Sequence, residues 1–254
     1  MTVTKTLARS VRLRVFWRSL FIQAGYNPRG QQSLGLTYAL LPALKALYPD
    51  PRAEGEAVQR HLATTFNTHP YVATAMVGGI LHHEERIARG EAPPASAQHF
   101  KASLMGPLAA LGDGFFWFSL RPACGALSAA LYPWLGVWCA LLFLVLFNAV
   151  HVTARARFFL LGYRHGDGIV AHLSRANISR WGERLRAVAA ASAGALAAYL
   201  SVVFANRSGL SVPLLTGACL LIAVLSFAVA VGRGARWAAL YGSALLAIVA
   251  GALQ

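Results

Sequence analysis

Acidic residues are scarce in this 254-residue chain, which has nine Asp and Glu residues against 23 Lys and Arg and a net charge of +14. Charge of either sign is scarce as well, at 13% of residues, whereas a soluble domain averages roughly 25%. Hydrophobic residues make up 57%, and the mean hydropathy is +0.52. The cations lie between apolar runs rather than on a soluble domain or arm, which is the pattern of a membrane protein. We therefore expect no nucleic-acid partner.

Motifs for several kinds of chemistry are missing too. Cys124, Cys139 and Cys219 lie inside apolar runs without C-x-x-C spacing, which indicates neither a disulfide framework nor a thiolate metal site. The chain has no G-x-S-x-G elbow, no G-x-x-x-x-G-K loop and no H-E-x-x-H pair. We expect no metal and no cofactor. A membrane metalloenzyme stays open as a third hypothesis, and its candidate ligands are His61, His69, His82 and His83.

One short apolar run has polar residues at both ends. In "FNTHPYVATAMVGGILHHEER", Phe66 to Arg86, the run from Tyr71 to Leu81 follows Asn67, Thr68 and His69 and precedes Glu84 and Glu85. It is shorter than the roughly 20 residues that cross a bilayer. Its ends cannot face lipid, because unpaired polar groups in hydrocarbon are costly. The pattern predicts a re-entrant helix, with Asn67 and Thr68 either capping it or also lining a cavity.

A second apolar segment, "KASLMGPLAALGDGFFWFSLRPACGAL", contains helix breakers and an isolated carboxylate, Asp113. Lys101 and Arg121 are the nearest cations in sequence, so either is a candidate ion-pair partner, structural or functional. Two interrupted hydrophobic segments are typical of discontinuous helices around a transporter's substrate site. The predicted interruptions are at Gly106, Pro107, Gly112 and Gly114.

The N-terminal region is strongly cationic, since the first acidic residue is Asp50. Leu13, Phe16 and Trp17 share one face of a predicted amphipathic helix whose arginines lie off that face. Such a helix is expected to lie on the anionic cytoplasmic leaflet, which makes membrane lipid a partner. In the following polar segment, Glu56 and Arg60 have the spacing of a solvated i, i+4 pair.

The rest of the chain is dominated by apolar stretches. The stretches at 123–131 and 134–150 predict two short helices or one kinked helix, and an arginine-rich segment follows. By the positive-inside rule that segment and the N-terminus are cytoplasmic. Three membrane spans are predicted at Ala187–Ala205, Pro213–Val231 and Trp237–Leu253. The expected fold is all-α and polytopic, with regions 1–50 (amphipathic and interfacial), 51–170 (broken-helix core) and 171–254 (basic segment and spans).

Four stretches carry a family resemblance. They are "VFWRSLFIQAGYNPRGQQSLGLTYALLPALKALY", "HLATTFNTHPYVATAMVGGILHHEER", "KASLMGPLAALGDGFFWFSLRPACGAL" and "LLFLVLFNAVHVTARARFFLLGYRHGDGIV". Together they resemble, in order, the IID component of the mannose/fructose/sorbose family of the bacterial sugar phosphotransferase system. The resemblance covers about Val15 to Val170, roughly two-thirds of the chain.

The resemblance implies a subunit of the bacterial inner membrane that forms a sugar-conducting unit with a IIC subunit, as part of an oligomer. The phosphoryl group would travel over soluble IIA and IIB proteins to a hexose-type sugar, and the IID subunit would carry none itself. The candidate substrate contacts are Asn67, Thr68, His69, Glu84, Glu85, Asp113 and Gln31, supported by Lys101 and Arg121.

Two positions depart from the family pattern. The family usually reads Gly-Asp-Pro where this chain has Gly114, and a methionine commonly stands where His83 precedes the paired glutamates. These departures leave open a second hypothesis, a binding or regulatory subunit that keeps the fold without transport.

Overall fold

The computed structural model describes residues 6–208, and this part of the chain is helical without a β-strand. The all-α prediction is therefore confirmed. The chain divides into two compact units, 1–191 and 192–254, and the described part of the second is helical throughout. The α-helices are α1 (Arg9–Ser19), α2 (Ser33–Leu47), α3 (Pro51–Leu62), α4 (Ala73–Ala88), α5 (Ala95–Gly112), α6 (Arg121–Ala130), α7 (Tyr132–Leu135), α8 (Trp138–His165), α9 (Ile169–Arg175) and α10 (Ile178–Ser208).

Helix α4, which contains most of the short apolar run, is the centre of the first unit. Twelve of its 16 residues are buried, and it packs against α1, α2, α5 and α8. Met76, Ile80 and Leu81 are fully buried, and burying a side chain of this size stabilises a fold by about 1.5–3 kcal/mol. The run is thus enclosed by protein, which explains why it is apolar yet too short to cross a bilayer.

Glycines let α4 and α8 approach closely. A Cβ added at Gly78 would collide with the backbone of Phe159 and Tyr163, and one added at Gly162 would collide with the backbone of Ala75 and Gly79. Backbone atoms cannot move aside as the tip of a side chain can. The tight crossing therefore requires the missing side chains at both positions.

Helix α1 packs against the protein with a side other than its predicted lipid-facing apolar side. Val11 and Val15 are buried, whereas Leu13 and Trp17, on the predicted apolar face, are 47% and 62% exposed. Val11 and Val15 pack against the neighbouring helices, whereas Leu13 and Trp17 point outward. Such an outward apolar surface suits a lipid or protein neighbour better than water.

Helix α3 begins where the sequence predicts, because Asp50 caps it by accepting a 2.9 Å hydrogen bond from Ala53 N–H and Pro51 occupies its first position. The predicted Glu56–Arg60 pair, however, is wrong. Glu56 pairs instead with Arg52 at 3.3 Å on the exposed face. Arg60 points inward and pairs with the buried Glu84 carboxylate at 3.1 Å.

The interruption predicted at Gly106 and Pro107 is absent, since α5 continues through both residues. A π-helix, Asp113–Leu120, then joins α5 to α6 without a gap. Ser119 Oγ donates a 2.7 Å hydrogen bond to the carbonyl of Gly114, five residues earlier, and accepts one of 2.9 Å from Arg186 Nη1. The irregularity thus exists, but as a widened helix whose backbone groups stay largely paired.

Helix α8 has 28 residues, about 42 Å at roughly 1.5 Å per residue, close to the thickness of a bilayer with its headgroups. Two helical segments of the described chain are long and apolar enough to cross a membrane, Trp138–Arg175 and Ile178–Phe204. Helix α10 contains the predicted span at 187–205. The predicted spans at 213–231 and 237–253 lie outside the described residues, and the three-region division and the re-entrant insertion stay predictions.

Candidate functional site

Two polar loops meet beside the N-terminal end of α4. The loop at residues 27–32 pairs with the loop at 66–69: Gln32 N–H donates to Phe66 O at 2.8 Å, and the Gln32 side chain bonds Thr68 in both directions, at 3.0 and 2.8 Å. Gln31 has a left-handed backbone with φ of 55°, which turns the chain between its partners. We call residues 27–32 and 66–69 the loop junction.

The predicted capping role of Asn67 and Thr68 is not found. Helix α4 begins at Ala73, and its N-cap residue, Val72, makes no side-chain cap hydrogen bond. Asn67 is exposed, and its N–H donates to Met105 Sδ at 3.1 Å. Thr68 is buried and its hydroxyl has no hydrogen-bond partner among the described residues. Both side chains are therefore free for roles other than capping.

His69 lies in an aromatic enclosure formed with the π-helix. Its ring stacks on Phe116 at 5.2 Å and lies 4.9 Å from the Trp117 ring. Nδ1 accepts a 3.2 Å hydrogen bond from Tyr71 N–H, which places the proton on Nε2, and that buried atom has no partner in the described chain. Burial, and secondarily the charge of Arg155, lowers the pKa of His69 to about 4.

Glu84 is held in a separate cluster at the other end of α4. Arg60 donates to both carboxylate oxygens, at 3.1 and 3.2 Å. Tyr48 Oη donates to Oε2 at 2.7 Å, and His61 Nε2 lies 2.9 Å from Oε1. The Glu84 side chain is fully buried. This saturated carboxylate ties α3 and the end of α2 to α4; we call these four residues the Glu84 cluster.

The ionisation of the Glu84 cluster follows from its geometry. Burial opposes the charge on Glu84, but hydrogen bonds from His61 and Tyr48 and the Arg60 charge hold the Glu84 pKa below its usual range. Burial lowers the pKa of His61, against the opposing effect of Glu84. A neutral His61 that donates from Nε2 to an ionised Glu84 agrees with both lowered pKa values. Burial, followed by the charge of Glu84, raises the pKa of Tyr48.

Glu85 anchors two other elements. Its Oε1 accepts hydrogen bonds from Leu7 N–H at 2.8 Å and from Tyr163 Oη at 2.7 Å. Arg89 lies 3.8 Å from Oε2. Glu85 thereby fastens the segment that leads into α1, and also α8, to α4.

The candidate ion pair with Asp113 is not formed. Lys101 is buried and donates to Thr64 Oγ1, and burial lowers its pKa to about 8. Arg121 lies over the Trp117 ring at 5.5 Å. None of the ion pairs in the described chain includes Asp113. At the adjacent Gly114, an added Cβ would meet nothing within 4 Å.

The candidate residues thus fall into separate groups. Gln31, Asn67, Thr68 and His69 meet at the loop junction, whereas Glu84 and Glu85 lie in structural contacts at the opposite end of α4. Within residues 6–208, no three His, Cys, Asp or Glu side chains are grouped so as to hold a metal ion. Sequence reasoning missed Gln32, Tyr48 and Arg60. Their partners are 36, 36 and 24 residues away, so no local signal marks them.

Comparison with known proteins identifies the family. The model of the "PTS system mannose/fructose/sorbose family IID component" matches residues 6–209. The chain belongs to this IID family. Membership accounts for the membrane character of the sequence, and the chain is an integral membrane protein.

Several relatives of the IID chain are named for a specific sugar. The mannose-specific EIID component of Escherichia coli K12 is 38% identical over 171 residues, 66% of this chain and 60% of the relative. The fructose permease IID component of Bacillus subtilis is 33% identical over 181 residues, 71% and 66% of the two chains. The match to the mannose-specific relatives thus spans about 60% of their length.

Solved structures resemble the IID chain over a longer range. A chain in the cryo-EM structure of the mannose transporter ManYZ with microcin E492 has a TM-score of 0.61 and 28% identity, covering 98% of this chain and 97% of its own. A structure described as that of a membrane protein has a TM-score of 0.68 and 33% identity, covering 76% and 71%.

Proposed function

We propose that the chain is the membrane subunit of a mannose-type sugar permease, in which it forms the translocation unit with a IIC subunit. The observation that carries the proposal is the similarity, over 98% of this chain, to a chain of a mannose transporter complex. The matching family model and the mannose- and fructose-specific relatives support a sugar as the cargo. IIA and IIB proteins would supply the phosphoryl group, and this subunit would carry none.

Within this function, we assign sugar contact to the loop junction. A cleft of about 600 Å³ lies beside it, lined in part by Asn27, Ser33 and Gln59, which is within the usual size range of ligand sites. Asn67 exposes an amide, and amides and hydroxyls match sugar hydroxyls because each both donates and accepts. The unpartnered Thr68 hydroxyl and His69 Nε2 support a second polar component, supplied by the sugar or the IIC subunit.

Glu84, Glu85 and Asp113 take different roles in this proposal. The Glu84 carboxylate already accepts hydrogen bonds from three side chains. Glu85 accepts hydrogen bonds from Leu7 N–H and Tyr163 Oη. Both carboxylates are buried, and Glu85 Oε2 faces Arg89 at 3.8 Å, so we assign both residues to the scaffold. Asp113 begins the π-helix whose aromatic residues enclose His69, and we assign it to the gate of the cavity.

The assignment is tested by Asn67→Ala in cells that express the complete permease. We expect sugar uptake to be abolished while the IIC subunit still copurifies with the variant. Asn148→Ala is the control, because Asn148 is an exposed amide on α8 that bonds to its own helix. Normal uptake by Asn67→Ala would reject the loop junction as the sugar site.

Three finer features belong to the same proposal: location in the bacterial inner membrane, a cytoplasmic N-terminus, and an oligomer. An epitope at the N-terminus should be cleaved by protease in inverted vesicles and protected in intact spheroplasts. The alternative, a regulatory subunit without transport, is motivated by Gly114 and His83. It predicts IIC association without uptake of any sugar, and the absence of IIC, IIB and IIA genes beside this one would favour it.

A further inference from the structure

A groove of about 360 Å³ runs between α1 and α8, and its lining includes no residue of the loop junction or of the Glu84 cluster. One part of its wall is cationic and the other is apolar. The cationic side chains are Arg9, Arg12 and Arg164, with Tyr163 among them; the apolar ones are Leu13, Phe16, Ala156, Phe159 and Leu160.

In the described part of the chain, the cations of this groove have no carboxylate partner. None of the ion pairs in the described chain involves Arg9, Arg12 or Arg164. The nearby Glu85 is occupied by Tyr163 and Leu7. Three unpaired guanidinium groups around one groove are suited to an anion with several acceptor oxygens, such as a phosphate diester.

Arg12 supplies a second, independent sign of a missing partner. Its guanidinium lies over the Tyr163 ring, 4.9 Å from the centroid. Its Nε is buried and has no hydrogen-bond partner in the described chain. A buried donor without a partner is uncommon in proteins and calls for a group outside the polypeptide.

The apolar wall indicates that the phosphate belongs to a molecule with an apolar part. Phe16 and Phe159 pack edge to face at 5.5 Å, and Leu13 and Leu160 beside them are 47% and 45% exposed. The groove therefore opens sideways onto an exposed apolar surface. A soluble phosphate compound would gain nothing from this wall, whereas an acyl chain would bury it.

The depth of the groove fits the same occupant. Arg164 lies in the last turn of α8, a helix about as long as a bilayer with its headgroups is thick. Leu160 precedes Arg164 by one turn of α8, so with the arginines placed at headgroup level Phe159 and Leu160 lie deeper. We propose that this groove binds an anionic glycerophospholipid, with its phosphate on the three arginines and the upper part of an acyl chain on the apolar wall.

The proposal is independent of sugar transport and is tested by binding. The full chain, purified from membranes in detergent with the subunits that copurify, is titrated with phosphatidylglycerol or phosphatidylcholine of identical acyl chains and followed by native mass spectrometry. We expect phosphatidylglycerol to bind more tightly. The double variant Arg9→Gln/Arg164→Gln should weaken that binding by about tenfold or more, since it removes two charge-assisted contacts.

The matched control is Arg14→Gln/Arg52→Gln, which removes the same charge from exposed arginines that do not line the groove. It should bind phosphatidylglycerol like the unaltered protein. Leu13→Ser, which shortens the apolar wall without changing charge, should also weaken binding. Equal affinity for the two lipids, an equal loss in the control, no loss in Leu13→Ser, or displacement of the lipid by inorganic phosphate would each overturn the proposal.

Discussion

At the scale of single residues, Glu84 shows how a carboxylate that sequence patterns associate with a binding site becomes part of the scaffold. It is fully buried and accepts from Tyr48, Arg60 and His61. A buried ion pair adds little net stability compared with an apolar pair, but removing one partner leaves the other charge buried and alone. The cluster is therefore sensitive to single substitutions.

Glu84→Gln should lower the free energy of unfolding by about 3–5 kcal/mol, because the Arg60 charge loses its counter-ion in a buried setting. The comparison is Glu56→Gln, which breaks the exposed pair with Arg52 and should cost at most about 1 kcal/mol. Denaturant unfolding in detergent measures both. A cost for Glu84→Gln no greater than that for Glu56→Gln would contradict the scaffold role.

Stability should fall on acidification below about pH 6.5. Burial lowers the pKa values of His61, His69 and His83 in the folded protein, that of His69 from 6.5 to about 4. The unfolded chain then binds more protons than the folded one in this interval, so stability decreases as pH decreases. Glu84, whose folded pKa is also lowered, adds a loss of the same sign below its ordinary pKa of 4.5.

His69→Phe provides the test of the pH dependence. The ring stacking on Phe116 is kept while the titrating group is removed. The free energy of unfolding, measured from pH 7 to pH 4, should have a shallower slope in the variant than in the unaltered protein. A constant difference in free energy between the two curves does not affect the test, because only their slopes are compared. Parallel curves would show that His69 has the same pKa in the folded and unfolded protein.

At the scale of elements, the contact between α4 and α8 depends on absent side chains. Gly78→Ala should destabilise the protein by about 1–3 kcal/mol, since its Cβ would collide with backbone of α8. Gly106→Ala is the matched control, because it is also a helical glycine but has nothing within 4 Å of an added Cβ. That change should stabilise by about 0.4–1 kcal/mol. Equal effects at the two positions would contradict the close crossing.

The π-helix, Asp113–Leu120, should depend on Ser119. Ser119→Ala removes the hydrogen bond to the Gly114 carbonyl and the one from Arg186. Each is worth about 1 kcal/mol, so amide hydrogen exchange within the π-helix should accelerate roughly fivefold or more. Ser103→Ala is the control, since Ser103 bonds only to the carbonyl three residues before it in α5. Unchanged exchange in Ser119→Ala would contradict this role.

The elements also show which structural features the sequence predicts. The Asp50–Pro51 start of α3 follows from local chemistry and is where expected. The inward turn of Arg60 is not predictable from spacing, because it depends on a buried carboxylate 24 residues away. Glycine and proline indicated an irregularity after Lys101, but only the fold decides that a widened helix replaces a break.

At the scale of the whole molecule, collinear sequence stretches predicted the family, and the predicted all-α fold is found in the described residues. The candidate site was harder to predict. The polar residues near the two ends of α4 are close in sequence, yet the helix from Ala73 to Glu84 separates them in space by about 17 Å. The junction of Gln32 with Thr68 joins residues 36 positions apart, and such a pairing leaves no periodic signal.

The most direct test of the central claim is reconstitution of this chain in proteoliposomes with its IIC subunit and phosphorylated IIB, followed by a screen of labelled sugars. The account predicts that at least one hexose is converted to its phosphate, and that omission of this chain or of IIC abolishes the conversion. Conversion that proceeds equally well without this chain would contradict the account. So would a stable complex with IIC that transports and phosphorylates no sugar.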